Sequence, residues 1–318
     1  MTLRLIVHQA NWKEHLRATS LDFGGLVPVV KGNGYGMRRW NLMQMVGELS
    51  SEVAVGTVYE THDIPEGITA IVLTPTMSAP PKTMPVSTVL TVGRLEHIKA
   101  LSHFNWTGNI VIKLRSSMLR YGTTQENLAD LLAEARNANL EIVGFSIHPP
   151  LDGDMQLHIK DIENWLEHIS SALPVYVSHV SASAVRQLRR YYPQHEFRIR
   201  LGTELWLGDK SMMKLSADVL DSHAVKSSQA VGYRQQKVSG MGEIVLVGAG
   251  SAHGVFPLDD GQSPFHYQNQ RINLHEAPHM HTSMLFIARG RPVPPIGEWI
   301  DVQRPLTQVQ IDVLQWAK

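Results

Sequence analysis

Lys31 ends the apolar run Leu26, Val27, Val29, Val30, and the turn Gly32-Asn33-Gly34-Tyr35-Gly36 follows at once. The run reads as a short buried strand, and the Gly/Asn cluster as the loop leaving its C-terminal end. An amine carried there projects from the mouth of a sheet or barrel, where a desolvated lysine can form a Schiff base with a carbonyl cofactor. A solvated lysine after an edge strand is the plainer reading. A second concentration of reactive groups lies further on: His253, His266, His275, His279 and His281. Imidazoles, with an intrinsic pKa of about 6.5, serve as acids or bases at neutral pH. His279 and His281 also have His-x-His spacing, which on a strand puts both rings on one face and suits zinc, although two ligands alone do not make a metal site. There is no cysteine, which excludes disulfides, thiolate metal sites and cysteine nucleophiles.

Elements must present these groups. From about residue 20 to about 209, short apolar runs alternate with helical patterns, as in βα units on a parallel sheet. The strand candidates are Leu26–Val30, Val53–Thr57, Ala70–Leu73, Thr88–Val92, Asn109–Leu114, Glu141–Ile147, Pro174–His179 and Arg198–Leu201. Asn127, Leu128, Leu131, Leu132 and Ala135 repeat at helical spacing, as do Ile162, Trp165, Leu166 and Ile169. About eight strands in some 200 residues suit a compact (β/α)8 TIM-type barrel, whose active site is built at the C-terminal strand ends. The leading segment Leu3–Ile6 is expected outside it. Beyond Asp209 the texture changes to short alternating strands, at Gly242–Val247, Arg271–Leu274, Ser283–Ile287, Trp299–Val302 and Val309–Val313, with Met212–Ala224 as a connecting helix. The expected division is an α/β barrel over residues 1–212, with the option left open that its first strand joins the second domain, and a smaller C-terminal β domain over 213–318.

Composition narrows the function. The 318 residues carry 29 Lys+Arg against 29 Asp+Glu, so no basic field points to nucleic acid. Hydrophobic residues make up 43%, normal for a globular chain. No apolar run approaches the roughly 18 residues of a membrane helix, and the start lacks signal-peptide features, so a cytoplasmic protein with a small-molecule substrate is expected.

The order of residues in Val30-Lys31-Gly32-Asn33-Gly34-Tyr35-Gly36 resembles the cofactor-lysine signature of the alanine racemase family. The resemblance implies that Lys31 binds pyridoxal 5'-phosphate and that Tyr35 touches its phosphate. Lys113 and Arg120 keep the spacing of a family segment. There the arginine reaches the cofactor's ring hydroxyl and the substrate carboxylate, and the lysine is often carbamylated. A guanidinium fork suits that carboxylate, because it binds in two places and keeps its charge. His148 falls on a histidine that packs against the cofactor ring. His179 and Ser183 match the family's His-x-x-Asn-Ser pattern, with Ala182 replacing the asparagine; Ser183 would begin a helix and help hold phosphate. Arg200, Gly202 and Thr203 fit an Arg-x-Gly segment whose arginine bonds the pyridine nitrogen and whose loop N–H groups hold phosphate. A guanidinium there does not protonate the ring, which makes the ring a weaker electron sink and favours simple proton removal and return at Cα. These matches span residues 26 to 208.

The pattern breaks in the second domain. The family's second base, a tyrosine delivered from the partner subunit, falls on Ser251, a poor base; nearby His253 is the other candidate for that role. Of a Ser-Met-Asp motif near the substrate carboxylate, Ser283 and Met284 survive, with Leu285 in place of the aspartate. The leading expectation is a pyridoxal phosphate-dependent amino-acid racemase, acting as a head-to-tail homodimer with shared active sites. One alternative is a metal-assisted aldolase or dehydratase of D-amino acids, since His279 and His281 are faintly similar to metal pairs of D-serine dehydratases and D-threonine aldolases. The other is a non-catalytic pyridoxal phosphate-binding protein, although barrel relatives of that kind usually lack the extra β domain.

Overall fold

The computed structural model describes residues 2–318. The chain opens with β1 (Leu3–His8) and α1 (Gln9–Phe23) and then enters an eight-stranded parallel sheet. Its elements are β2 (Leu26–Pro28), α2 (Arg39–Leu49), β3 (Glu52–Val55), β4 (Thr69–Val72), β5 (Val89–Val92), α3 (Leu95–His103), β6 (Asn109–Lys113), α4 (Gln125–Asn137), β7 (Glu141–Ser146), α5 (Met155–Leu166), β8 (Val175–Val177), α6 (Ala182–Tyr191), β9 (Phe197–Leu201) and the short α7 (Thr203–Leu207). The strand order β2-β9-β8-β7-β6-β5-β4-β3 closes on itself through one parallel bridge, Val29 to Ala54, with Val30 N–H donating to Ala54 O at 2.8 Å. The sheet is therefore a TIM-type barrel.

Val27, Val29, Ala54, Ile71, Val89, Val111 and Tyr176 form one buried cluster. They come from strands all round the sheet, as residues filling a barrel interior must. The strands lie where the apolar runs place them, within a residue or two at each end. Helices follow β2 and β5 to β9, but not β3 or β4. After β3 there is only a 3₁₀ turn, Val58–Glu60. The stretch after β4 carries Pro75, Pro80, Pro81 and Pro85, whose missing N–H groups and fixed φ do not sustain a helix.

The remaining elements are β10 (Met213–Val225), β11 (Ala230–Val231), β12 (Gln236–Lys237), β13 (Gly242–Val247), β14 (Phe265–Tyr267), β15 (Gln270–Arg271), β16 (Asn273–Leu274), β17 (Ser283–Ala288), β18 (Trp299–Val302) and β19 (Val313–Ala317). A nine-stranded sheet runs β15-β14-β18-β10-β13-β17-β16, and β1 adds to it, antiparallel to β10 and parallel to β19. The chain divides into two compact units: residues 15–32 with 39–208, and the N-terminal segment through Glu14 with 33–38 and 209–318. Among the described residues no helix is long and apolar enough to cross a membrane.

Two expectations for this unit fail. Met212–Ala224 is not a helix. Met212 ends a 3₁₀ turn, and from Met213 on the segment is the long strand β10, which pairs with β1 and β18 in its first half and, past an irregularity at Val219–Asp221, with β13. Leu215, Ala217 and Val219 are buried at alternate positions, and three strand neighbours decide the conformation over local propensity. Val309–Val313 is not a strand either; β19 starts only at Val313. Val309 and Ile311 are buried, which gives the alternating pattern, but the backbone bonds go elsewhere. Gln310 N–H donates to His253 O, and Asp312 N–H to Leu3 O.

Candidate active site

The C-terminal strand ends of the barrel gather most of the expected cofactor residues. Lys31 follows β2, Lys113 ends β6, Arg120 lies in the next loop, His148 and His179 follow β7 and β8, and Arg200 is in β9. Loop geometry places Arg120. Leu114 bridges Thr123, and Gly122 (φ +125°) stands where a Cβ would lie 2.5 Å from Leu114 C and Arg115 N. Ser116 Oγ ties this loop to the His148 carbonyl at 2.6 Å.

Arg200 is 5% exposed and donates from Nη2 to the Ile147 carbonyl at 2.7 Å and to Ser178 Oγ at 3.4 Å. Desolvation, with Arg120 adding to it, pushes its pKa down to about 10, which leaves it protonated at neutral pH. Ser178 Oγ also bonds His148 Nδ1, and the His148 and His179 rings pack 4.4 Å apart. Desolvation, then the charges of Arg200 and Lys113, pushes the His148 pKa far down, so this imidazole is neutral. His179 (φ +58°) pairs through Nδ1 with the Pro149 carbonyl, and burial lowers its pKa too.

Lys113 is 5% exposed, and burial, with Arg200 and Arg120 nearby, holds its amine well below the usual lysine value. Lys31 keeps solvent-accessible surface, yet the atoms packed around it displace enough water for desolvation to be the first cause of its lowered pKa. Arg120 and Arg200 add to that lowering, and Glu60 opposes them. The constellation thus presents an electrophile-ready amine at the rim and fixed guanidinium charge inside, the surroundings that receive an anionic carbonyl compound.

Other expected residues lie differently. Ser183 is not the first residue of its helix. Ser181 caps α6 by accepting Ala184 N–H at 3.2 Å, and exposed Ser183 meets it hydroxyl to hydroxyl at 2.9 Å. Gly202 caps α7 and Thr203 is its first residue. Tyr35 (φ +55°) is buried and belongs to the β unit with the rest of its loop. That loop is pinned there: Asn33 Nδ2 donates to the Leu306 and Val309 carbonyls at 2.9 and 2.7 Å, and a Cβ on Gly36 (φ +83°) would lie 2.7 Å from Leu306 O. Ser251 and His253 form a 3₁₀ turn in the same unit. His253 Nδ1 accepts Gly250 N–H at 3.1 Å and Nε2 faces Asp312 Oδ2 at 3.1 Å, so both ring nitrogens are committed. Met284 packs on the cluster of Val225, Val238 and Ile244. The His-x-His pair is not on a strand. His279 Nε2 bonds Glu276 Oε1 at 2.7 Å, His281 packs edge-on against His253, and no group of three or more potential metal-ligating side chains occurs among the described residues.

Residues 7–209 match the family model for the N-terminal domain of alanine racemase. The chain belongs to the alanine racemase family. Solved structures agree on the fold over nearly the whole length. Biosynthetic alanine racemase from Pseudomonas aeruginosa is similar with a TM-score of 0.74 at 15% identity, over 100% of this chain and 99% of that one. Alanine racemase from E. faecalis gives 0.73 at 18%, over 95% and 88%. Alanine racemase from Bartonella henselae, solved with covalently bound pyridoxal phosphate, gives 0.72 at 14%, over 96% and 91%. A sequence comparison with curated proteins finds no match.

The barrel residues of this alanine racemase relative fit the family's cofactor. Arg200 Nε is buried with no hydrogen-bond partner, a donor that calls for an acceptor. Arg120 and Arg200 bring positive charge together beside the two lysines, and among the described residues the carboxylate that acts on Lys31 is Glu60. An anionic pyridine compound answers both needs.

Three side chains of this site have little signal in the sequence. Ser178, buried between His148 and Arg200, is one residue short of the conspicuous His179. His158 on α5 supports His179 by pairing with its carbonyl at 3.1 Å, but reads as one more helix residue. Glu60 reaches Gly32 N–H at 2.8 Å across 28 residues, and only the Thr57-x-x-Glu60 spacing hints at an acceptor for a turn.

Proposed function

We propose that this protein is a pyridoxal phosphate-dependent amino-acid racemase of the alanine racemase type. Bound pyridoxal phosphate supplies an aldehyde for attachment to a lysine and an electron-poor ring that acidifies the Cα–H of an amino acid. Lys31 is the attachment point, and its amine removes or returns the Cα proton on one face. Arg120 holds the substrate carboxylate. Arg200 Nε would face the ring nitrogen without surrendering a proton, so the ring would be a weaker electron sink and simple proton removal and return would be favoured. His148, neutral and braced by Ser178, packs beside the ring; His179 supports it, while Tyr35, Ser183, Gly202 and Thr203 are assigned to the phosphate. Lys113, whose buried amine is held well below the usual lysine value, would take up carbon dioxide as a carbamate with release of one proton, placing negative charge beside Arg120 and Arg200. The opposite face of Cα is served by the Ser251–His253 turn of a partner subunit in a head-to-tail homodimer, with Met284 near the substrate.

The orphaned Nε of Arg200, together with the lowered pKa of Lys31, carries this reading. No comparable observation favours metal-assisted chemistry, because His279 is engaged with Glu276. The test is a chiral screen of amino acids with protein reconstituted in pyridoxal phosphate. One or more L-amino acids should racemise, and Lys31→Ala should abolish both racemisation and the covalent link to the cofactor. Loaded protein that leaves every common amino acid unchanged, with no Cα deuterium exchange, sinks the proposal and leaves a binding protein.

A further inference from the structure

Two largely buried charged side chains flank Lys31 without belonging to the cofactor constellation: Arg39, the first residue of α2, and Glu60, the last of the turn after β3. The Arg39 guanidinium reaches four acceptors. Nε and Nη2 grip Asp63 Oδ2 and Oδ1 at 3.1 and 2.5 Å, Nη2 also reaches the Glu60 carbonyl at 2.6 Å, and Nη1 holds the Val30 carbonyl at 2.6 Å. Glu60 accepts Gly32 N–H on Oε1 at 2.8 Å, and Gly56 and Thr57 N–H on Oε2 at 2.6 and 3.3 Å. The carbonyl just before Lys31 and the N–H just after it are therefore both held by side chains. The packing is close: a Cβ on Gly56 would lie 2.6 Å from Glu60 Oε2 and 3.4 Å from Lys31 Cβ.

We propose that Arg39 and Glu60 are positioning residues for Lys31. Arg39 fixes the peptide before it, Glu60 fixes the peptide after it, and the Glu60 carboxylate also offsets the two arginines that face the amine. The inference rests on Lys31 being the cofactor lysine. Three ionised groups act on that amine from three elements: Arg120 from the loop after β6, Arg200 from β9, and Glu60 from the turn after β3. Arg39 pairs with Asp63 and lies 3.8 Å from Glu60 Oε2, and it does not appear among them, so its effect on Lys31 is through orientation.

The two roles separate in the cofactor-free protein. Pyridoxal phosphate is added across a pH series, the linkage is trapped with borohydride, and the initial rate of labelling at the Lys31 peptide is read by mass spectrometry. The rate follows the neutral amine, so its midpoint reports the lysine. Glu60→Gln removes a charge that favours the ammonium form, and its midpoint falls by about half a pH unit. Arg39→Lys keeps the charge and loses the fork; its midpoint stays, and cofactor affinity drops roughly tenfold. An unmoved midpoint in Glu60→Gln, or parental affinity in Arg39→Lys, overturns the corresponding half. Should Glu60→Gln not fold, Glu60→Asp decides: the carboxylate withdraws from Gly32, so the parental midpoint with roughly tenfold weaker affinity supports the proposal, and parental affinity overturns it. Labelling undiminished in Lys31→Ala would instead sink the assignment of the cofactor lysine.

Discussion

Lys113 shows what a single residue can cost its fold. Its amine is buried beside Arg120 and Arg200, with its pKa held well below 10.5. In the unfolded chain the same amine is protonated, so between the two values the unfolded state binds the extra proton, and stability rises with pH. In buffer free of carbon dioxide, the cofactor-free protein should therefore gain thermal stability as pH rises towards the unfolded lysine value. Lys113→Met should flatten that rise and lift Tm at pH 7 by about 1–2 °C, the scale of a gain of about 1 kcal/mol; an unchanged slope in scanning calorimetry would count against a lowered pKa at Lys113. Residues of this kind were only partly legible. Lys31, Arg120 and Arg200 stand out because their neighbours keep a recognisable order along the chain. Glu60 and Arg39 do not, since each acts on backbone atoms, and a backbone atom leaves no trace in residue type. His253 has contacts that its residue type does not announce. Imidazole type suggests a free base, whereas bonds to Gly250 and Asp312 occupy both nitrogens.

Among the elements, the barrel strands were the most legible. Most of their residues are buried, so the strands read as short, largely apolar runs flanked by turn residues, with Arg198 and Arg200 of β9 among the charged exceptions. Strand β10 was not, because Met212, Leu215 and Val219 also satisfy a helical spacing and only the pairing with β1, β13 and β18 distinguishes the two. Loops are where sequence and position are most tightly coupled. Gly122 at φ +125° leaves no space for a side chain against Leu114 and Arg115. Gly122→Ala should cost about 2 kcal/mol and lower Tm by about 3–5 °C. Because the same loop carries Arg120, substrate KM should rise roughly tenfold. Parental KM in a folded Gly122→Ala protein would show that Arg120 is placed by something other than this turn.

At the scale of the whole molecule, the proposed shared site has a direct consequence. Lys31→Ala subunits lack the proposed cofactor lysine, and His253→Ala subunits lose the group that anchors the Ser251–His253 turn. Unfolded together and refolded as a mixture, they should regain about a quarter of parental activity, since half the dimers are mixed and each holds one intact site; no recovery, with a monomer in sedimentation, would place the whole site in one chain. The barrel itself has an uneven circumference. Most neighbouring strands share a run of ladder bonds, but β2 and β3 meet at Val29 and Ala54 alone. Arg39 and Glu60 stand at this same seam, one gripping the end of β2, the other joining Gly32 to Gly56. They act as a clasp where the weave runs thin. Hydrogen exchange should follow: freeing the clasp exposes the Gly32 and Val30 amides long before the rest of the barrel loosens, so an enzyme of this design would unbutton first beside its own reactive amine.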